Sequence, residues 1–454
     1  MKCSLRQNML NLDRQVPRYT SYPTAPHFKP LESPEAYFQW LRALPTDEEI
    51  SLYIHVPYCA QMCWYCGCHT KVTKRYDPVK KYVEALQKEI QSVANHMPKK
   101  LNVQHLHFGG GSPGMLSGED FSALLFELKK NFKFSTKTNI DIELDPRLLT
   151  EERVQAYAEH GVTRVSLGVQ DFDDTVLKAV NRKQPFALSE KAVKLLRQYG
   201  INDINFDLLY GLPHQTIESM QATIVKPLEL APSRIALFGY AHVPWMKKHM
   251  RLIDENALPT KELRLDLFET AQHLLTDAGY VAIGIDHFAK ADDPMAKGLA
   301  ERTLQRNFQG YTTDACATLI GFGASAIGHL PQGYVQNEVN TGVYITKVNN
   351  NHPVSVKSAS LSHDDKLRAA VIEQIMCYLD VDLTPICKAF GVPENYFVEE
   401  LERLAPYQGQ GFLEVRGNTV RIFPEAKPLA RLFASVFDVY FRVPSETPRH
   451  AKAI

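Results

Sequence analysis

Between about residue 50 and residue 290 the chain alternates short apolar runs with amphipathic stretches, and this rhythm constrains the fold more than any other feature. The apolar runs centre on Leu52, Leu106, Ile142, Val165, Phe206, Leu237 and Ile283, and short β-rich runs bounded by turn residues read as strands. Between them apolar residues return at helical spacing: Tyr82, Val83, Leu86, Ile90 and Val93 stand among lysines and glutamates, so one face of a helix covers a sheet. Strands that alternate with helices pair in parallel. Six or seven such units fall short of the eight of a closed (β/α) barrel, so an α/β incomplete barrel is the economical architecture.

After about Asn340 the rhythm stops, and the polar stretch Asn349, Asn350, Asn351, His352, Pro353 leads into a helical pattern from Leu367 to Leu379. Further on, Gly411 to Val415 and Thr419 to Phe423 flank Arg416-Gly417-Asn418, a hairpin signal. Helices followed by a hairpin suggest a smaller, mainly helical, winged-helix-like module. The chain thus divides into an N-terminal segment at 1–45, a barrel at 46–345 and an accessory domain at 355–454.

With 454 residues, 44% of them hydrophobic, the chain is long enough for a large core. Its 51 basic residues balance 51 acidic ones, so no net field draws it to nucleic acid or to an anionic membrane. No basic cluster stands on the winged-helix-like elements either, which argues against nucleic acid. Eighteen apolar residues never run together and the start lacks a signal-like apolar stretch, so a cytoplasmic protein is expected, with no membrane partner. Without a heptad seam, a monomer is expected.

Chemistry enters at Cys59-Ala60-Gln61-Met62-Cys63-Trp64-Tyr65-Cys66, directly after the strand-like Ser51 to Val56 and Pro57. Three thiolates at CxxxCxxC spacing can hold three corners of a 4Fe-4S cluster and leave one iron open. A structural zinc knot would need a fourth ligand, Cys68 or His69, and such sites usually use two separated ligand pairs. Cys68 follows Cys66 too closely to join the tripod and is read as its neighbour. Four of eight cysteines within ten residues do not form a disulfide framework, and an open cluster iron calls for a reducing compartment. Cys3, Cys316, Cys377 and Cys387 read as ordinary thiols.

The run Gly109-Gly110-Gly111-Ser112-Pro113 follows another strand, and it lets the backbone approach a ligand or simply makes a tight strand-to-helix turn. Glu143 and Asp207 are acids inside apolar runs, where an unpaired charge is expensive. Each calls for a cationic side chain or for the hydroxyls or ammonium of a ligand at a strand's carboxyl end.

In its cysteine loop the chain resembles the radical S-adenosylmethionine (SAM) enzymes. Arg18-Tyr19-Thr20-Ser21-Tyr22-Pro23-Thr24-Ala25, Cys66-Gly67-Cys68, Gly168-Val169-Gln170-Asp171-Phe172, Asp207-Leu208-Leu209-Tyr210-Gly211-Leu212-Pro213 and Asn307-Phe308-Gln309-Gly310-Tyr311-Thr312-Thr313 are similar to the oxygen-independent coproporphyrinogen III oxidases. The resemblance spans nearly the whole chain. It implies one 4Fe-4S cluster on Cys59, Cys63 and Cys66, with Tyr53, Gly110 and Glu143 beside the SAM on it. It implies a second SAM among Tyr65, Gly111, Ser112, Gln170, Arg182, Asp207, Ala241 and Ile327. Cys59, Cys63, Cys66 and Tyr53 are the catalytic set it implies. The chain departs from the family's usual GGGTPT at Ser112 and Gly114, and Tyr65 stands where phenylalanine also occurs.

The implied activity is oxidative decarboxylation of two propionates of coproporphyrinogen III to vinyl groups, giving protoporphyrinogen IX in haem biosynthesis through a 5′-deoxyadenosyl radical. A reductant protein such as flavodoxin or ferredoxin is the implied partner. A substrate with four propionates favours basic side chains at the mouth, and Arg18, Lys71, Lys74, Arg75 and Arg306 are candidates against a reading as solvated surface charges. His55, His287 and His329 read as satisfied core histidines. Tyr19, Tyr22 and Pro23 would lay the N-terminal segment over the open barrel. Two alternatives share the tripod and barrel: a haem-binding chaperone, whose relatives lack the long N-terminal segment, and a haem-processing radical SAM relative.

Overall fold

The structure, a computed structural model, describes residues 2–12 and 14–442. The side chain of Cys3 and the stretch 443–454 at the end of the expected accessory domain lie outside the described residues. Seven strands run parallel: β1 (Glu49–Val56), β2 (Asn102–Gly110), β3 (Asn139–Leu144), β4 (Arg164–Gln170), β5 (Asp203–Tyr210), β6 (Arg234–Gly239) and β7 (Thr318–Phe322). They lie in the order β7-β1-β2-β3-β4-β5-β6, so the sheet curls without closing. Helices cross between successive strands. In Asp77–Ala94, for example, Val79, Tyr82, Val83, Leu86, Ile90 and Val93 are buried on one face.

Antiparallel strands extend both edges. Beyond β6 come His287–Lys290 and then Tyr280–Ile283; beyond β7 come Ile327–Leu330, Gly333–Asn337, Ser355–Ser360 and Lys29–Pro30. The apolar run at Ile283, expected as another parallel βα unit, is therefore an antiparallel edge strand. Only Gly284, Ile285 and Asp286 separate it from the strand it pairs with, with Ile283 opposite His287, and a parallel crossover needs a dozen residues or more. The seventh parallel strand is β7, buried along its whole length, whose short run with Gly321 carries little strand signal in the sequence. Through Lys29–Pro30 and Ser355–Ser360 the large sheet takes in chain on both sides of 46–345.

Leu52, Ile54, Leu106, Phe108, Val165, Phe206 and Leu237 pack with the covering helices in the main core. Each such side chain withdrawn from water stabilises the fold by roughly 1.5–3 kcal/mol. A second core is built from both ends of the chain, because Met9, Val16, Tyr19 and Tyr22 pack with Val371, Ile375, Leu429, Phe433 and Phe437. Tyr19 Oη donates to Asp438 Oδ2 at 3.0 Å and the Val439 N–H donates to Tyr22 Oη at 3.2 Å. In the C-terminal module Thr419–Ile422 lies between Asp380–Asp382 and Leu413–Arg416, packed with the helices His363–Tyr378, Leu383–Ala389 and Val398–Gly409. The hairpin turns tightly at Gly417, which takes φ +57° without strain. Among the described residues no helix is long and apolar enough to cross a membrane.

Candidate active site

The carboxyl ends of the parallel strands open on a cavity of about 630 Å³, as sites in α/β sheets do. Its wall brings together Cys59, Cys63, Tyr65 and Cys66 from the loop after β1, and Gly110, Gly111 and Ser112 from the end of β2. Glu143 comes from β3, Gln170 from β4, Asp207 from β5, Ala241 from the loop after β6, and Arg182 from the segment after β4. Arg18, Tyr19 and Thr20 of the N-terminal segment complete the wall. Two of the residues that the resemblance assigns to the cluster and to SAM do not line it. Tyr53 lies behind Glu143, with its Oη 3.0 Å from His55 Nδ1 and its ring stacked on His107 at 5.9 Å. Ile327 belongs to the antiparallel strand beyond β7, opposite Gln336.

The cysteine loop is pinned on every side. Trp64 N–H donates to Val180 O at 3.0 Å, Asn181 Nδ2 to Met62 O at 2.8 Å, and Thr73 N–H to Cys59 O at 3.0 Å. Donors stand beside the thiols: Thr70 Oγ1 is 3.1 Å from Cys59 Sγ, and Arg182 Nη1 is 3.4 Å from Cys63 Sγ. Such neighbours favour the thiolate, the form that binds iron. Burial pushes the Cys59 thiol up to about 11, whereas a hydrogen bond from Cys68 holds that of Cys66 down to about 6. Among the described residues no three His, Cys, Asp or Glu side chains converge to hold a single metal ion. A cubane binds its thiolates at separate irons, so three thiols spread over one cavity wall suit it. Ser112 Oγ, buried in the same wall, has no hydrogen-bond partner and awaits one.

The glycine run answers to packing. A Cβ at Gly110, where φ is +113°, would lie 2.6 Å from the His55 ring, and one at Gly111 would lie 2.8 Å from Tyr58 O. These glycines let β2 close against the start of the cysteine loop. Glu143 finds its partners on the neighbouring strand β2: His107 Nε2 lies at 3.0 Å and the Gly110 N–H at 3.2 Å. Burial works against its charge, but these two donors hold its carboxyl below the ordinary range. Asp207 accepts from Asn205 Nδ2 at 2.8 Å, and burial together with the charge of Glu143 pushes it up to about 7. Gln170 occupies a bulge in β4 with φ +76°, a strained value for a residue with a Cβ. Asp171, fully buried, braces that bulge by accepting from Phe172 N, Asp173 N, Gln215 Nε2 and Thr223 Oγ1.

A Radical SAM superfamily model matches residues 53–225. An oxygen-independent coproporphyrinogen III oxidase of Bradyrhizobium diazoefficiens is 46% identical over 94% of this chain and 95% of that relative. The anaerobic coproporphyrinogen III oxidase 1 of Cereibacter sphaeroides is 41% identical over 98% of this chain and 97% of its own. The chain belongs to the oxygen-independent coproporphyrinogen III oxidase family. The solved coproporphyrinogen III oxidase of Escherichia coli, a radical SAM enzyme, is similar in structure, with a TM-score of 0.89, 34% identity and coverage of 94% of this chain and all of that one.

Several residues of this oxidase-family site carry no strong signal in the sequence. Asp145 and Arg147, paired at 2.6 Å, flank the thiols, and Arg147 Nη2 lies 3.8 Å from Cys63 Sγ. Their one legible clue is their position just past the end of β3. Phe308 reaches the cavity from the turn between Gln305–Asn307 and Gly310–Thr312, and the Asn307 to Thr313 motif also has a structural part, since Tyr311 Oη donates to Met376 O at 2.8 Å. Of the basic candidates, Arg18 lines this cavity and Arg306 an adjacent one, whereas Lys71, Lys74 and Arg75 are exposed outside both. His55 is buried between Tyr53 Oη and His69 O, and burial lowers its pKa; His329 stacks on Tyr334 at 4.5 Å.

Proposed function

We infer that this chain catalyses oxygen-independent oxidation of coproporphyrinogen III, converting two propionates to vinyl groups with loss of carbon dioxide and yielding protoporphyrinogen IX. The observation that carries this reading is one cavity whose wall joins the cysteine tripod to Arg18, Tyr19 and Thr20 of the N-terminal segment. A haem-binding relative of the kind that lacks this segment would have no such wall. In our reading Cys59, Cys63 and Cys66 hold a 4Fe-4S cluster, with SAM beside Tyr53, Gly110 and Glu143. When bound, these groups supply a one-electron reductive cleavage that releases an organic radical able to take a hydrogen atom.

The chain's own side chains do the rest of the work. Arg182 and Thr70 fix the sulfurs to which they hydrogen-bond. Met62, Leu144, Leu209, Phe238 and Met250 give the cavity apolar walls that keep water from a reactive intermediate. We assign a second SAM to Tyr65, Gly111, Ser112, Gln170, Arg182, Asp207 and Ala241, where the unpartnered Ser112 hydroxyl and the Asp207 carboxyl suit ribose or an ammonium group. Ile327 joins that set on resemblance alone. A flavodoxin or ferredoxin as electron donor, a monomeric state and a cytoplasmic location belong to the same proposal.

The test is anaerobic turnover with cluster-loaded protein, reductant, SAM, coproporphyrinogen III and a crude extract as electron acceptor, read by mass spectrometry. Loss of two carboxyl groups together with 5′-deoxyadenosine is the expected result. Formation of 5′-deoxyadenosine without a vinyl product would point to another radical substrate. Tight haem binding with neither product would point to a chaperone.

A further inference from the structure

Beside the cavity described above lies a second, of about 760 Å³, and the two share wall residues, Arg18, Cys68 and Phe308 among them. The second is strongly basic. Arg18, Lys261, Arg264, Arg306 and Arg431 line it, and among its described lining residues Asp286 is the single carboxylate, taken by His287 Nδ1 at 2.7 Å. The guanidinium groups are held by rings and backbone carbonyls. Arg306 lies over the Tyr311 ring at 4.4 Å and donates to Arg18 O at 3.3 Å; Arg264 lies over Tyr210 at 5.6 Å; Arg431 donates to Val16 O at 3.5 Å. Arg306 Nε and Nη1 are buried without a hydrogen-bond partner.

Like charges gathered in a pocket are unfavourable until an anion arrives, and a preset guanidinium fork matches a carboxylate in bidentate fashion. Lysine-rich surfaces that merely stay solvated look different, because there the donors face water.

We propose that this second cavity is a carboxylate-binding site that holds the propionates of the tetrapyrrole that do not react, with Arg306 and Arg431 as their main ligands and Arg264 beside them. The assignment rests on the oxidase reading, since it takes the first cavity as the place of the reacting propionates. A substrate lying across both cavities would put carboxylates at one end on these arginines and leave the other end facing the cysteine loop.

Binding of stable oxidised porphyrins to the cluster-loaded protein, followed by fluorescence under anaerobic conditions, tests the assignment. Coproporphyrin III has four propionates, and protoporphyrin IX keeps the two that do not react. Arg306→Met and Arg431→Met should each weaken both porphyrins by the same factor, about tenfold or more, as expected when a charge-assisted bond to a carboxylate is lost. Protoporphyrin IX dimethyl ester should bind wild type and variants alike. Arg306→Lys should recover part of the affinity, and Arg264→Gln, at a partly exposed position, serves as a second probe should a buried variant not fold; iron content reports on folding.

Unchanged affinities in folded variants would overturn the proposal. So would a loss confined to coproporphyrin III, because the arginines would then serve the reacting propionates. Turnover separates this failure from that of the oxidase reading: wild type that decarboxylates coproporphyrinogen III while the variants keep its KM refutes the arginine site alone. Wild type that leaves coproporphyrinogen III intact refutes the oxidase reading, and the assignment falls with it.

Discussion

The Cys68 thiol hydrogen-bonds Cys66, and we propose that it is a neighbour of the cluster ligands and not one of them. Replacing Cys59, Cys63 or Cys66 with serine should abolish the cluster absorbance and all turnover, whereas Cys68→Ser should keep at least part of the iron. Iron analysis and the visible spectrum decide this, and complete iron loss in Cys68→Ser would make Cys68 a ligand. Arg182 is a more composite residue. It touches Cys63 Sγ and Gln184, and it also donates to Gly168 O at the bulge that displays Gln170. If the proposed second SAM site is right, Arg182→Ala should lower the amount of SAM bound per cluster from two towards one while the iron stays, as equilibrium dialysis would read. An unchanged ratio would remove Arg182 from the second SAM site.

Single elements are locked at two buried carboxylates. Asp171 gathers four donors behind β4, so Asp171→Ala leaves buried N–H and O–H groups unmet and should cost on the order of 3 kcal/mol in urea denaturation. Glu89 pins the helix Asp77–Ala94 to the segment after β7 and to the helix Thr341–Asn349, accepting from Gly323 N at 2.7 Å, Asn337 Nδ2 at 2.6 Å and Tyr344 Oη. Burial outweighs these donors and pushes its carboxyl up from 4.5 to about 7. Between those two values the folded chain holds a proton that the unfolded chain has released, so stability falls as pH rises through that window. Glu89→Gln should flatten this part of the pH profile and, because its amide N–H groups face donors, should itself cost about 1–3 kcal/mol. A profile unchanged by the substitution would mean that Glu89 titrates at its ordinary value.

Across the whole molecule, the described N-terminal residues from Met9 to Tyr22 share one core with residues between Leu367 and Phe437. The N-terminal segment is anchored in the second core by Tyr19 and Tyr22, and from there it presents Val16 to Thr20 to the cavity. Removing residues 1–26 should therefore leave the cysteine loop able to take up iron but raise the KM for coproporphyrinogen III tenfold or more, or abolish turnover. The same deletion should lower the thermal stability of the C-terminal module, as differential scanning calorimetry would show. Wild-type KM in the truncated protein would show that the segment is not part of the substrate wall.

Local and periodic features were legible before folding: six of the seven parallel strands, the helix faces that cover them, the hairpin at Gly417 and the CxxxCxxC spacing all follow from patterns that only neighbouring residues set. The strand β7 and the antiparallel fate of Tyr280–Ile283 escaped it, because direction and order in a sheet depend on connections and on distant partners. The site divides in the same way. Residues close to strand ends or inside dense motifs were legible, and twelve of fourteen lie in one cavity wall. Arg264, Arg431 and the bonds of Arg147 and Thr70 to the sulfurs were not, because only the folded chain brings residues so far apart in sequence to the walls of two adjoining cavities. Tyr53 and Ile327, singled out from the sequence, are placed by the fold beside His107 and Glu143 beneath the wall and on the antiparallel strand next to β7, because how deep a strand residue sits below a cavity and which strand it pairs with are set by distant partners.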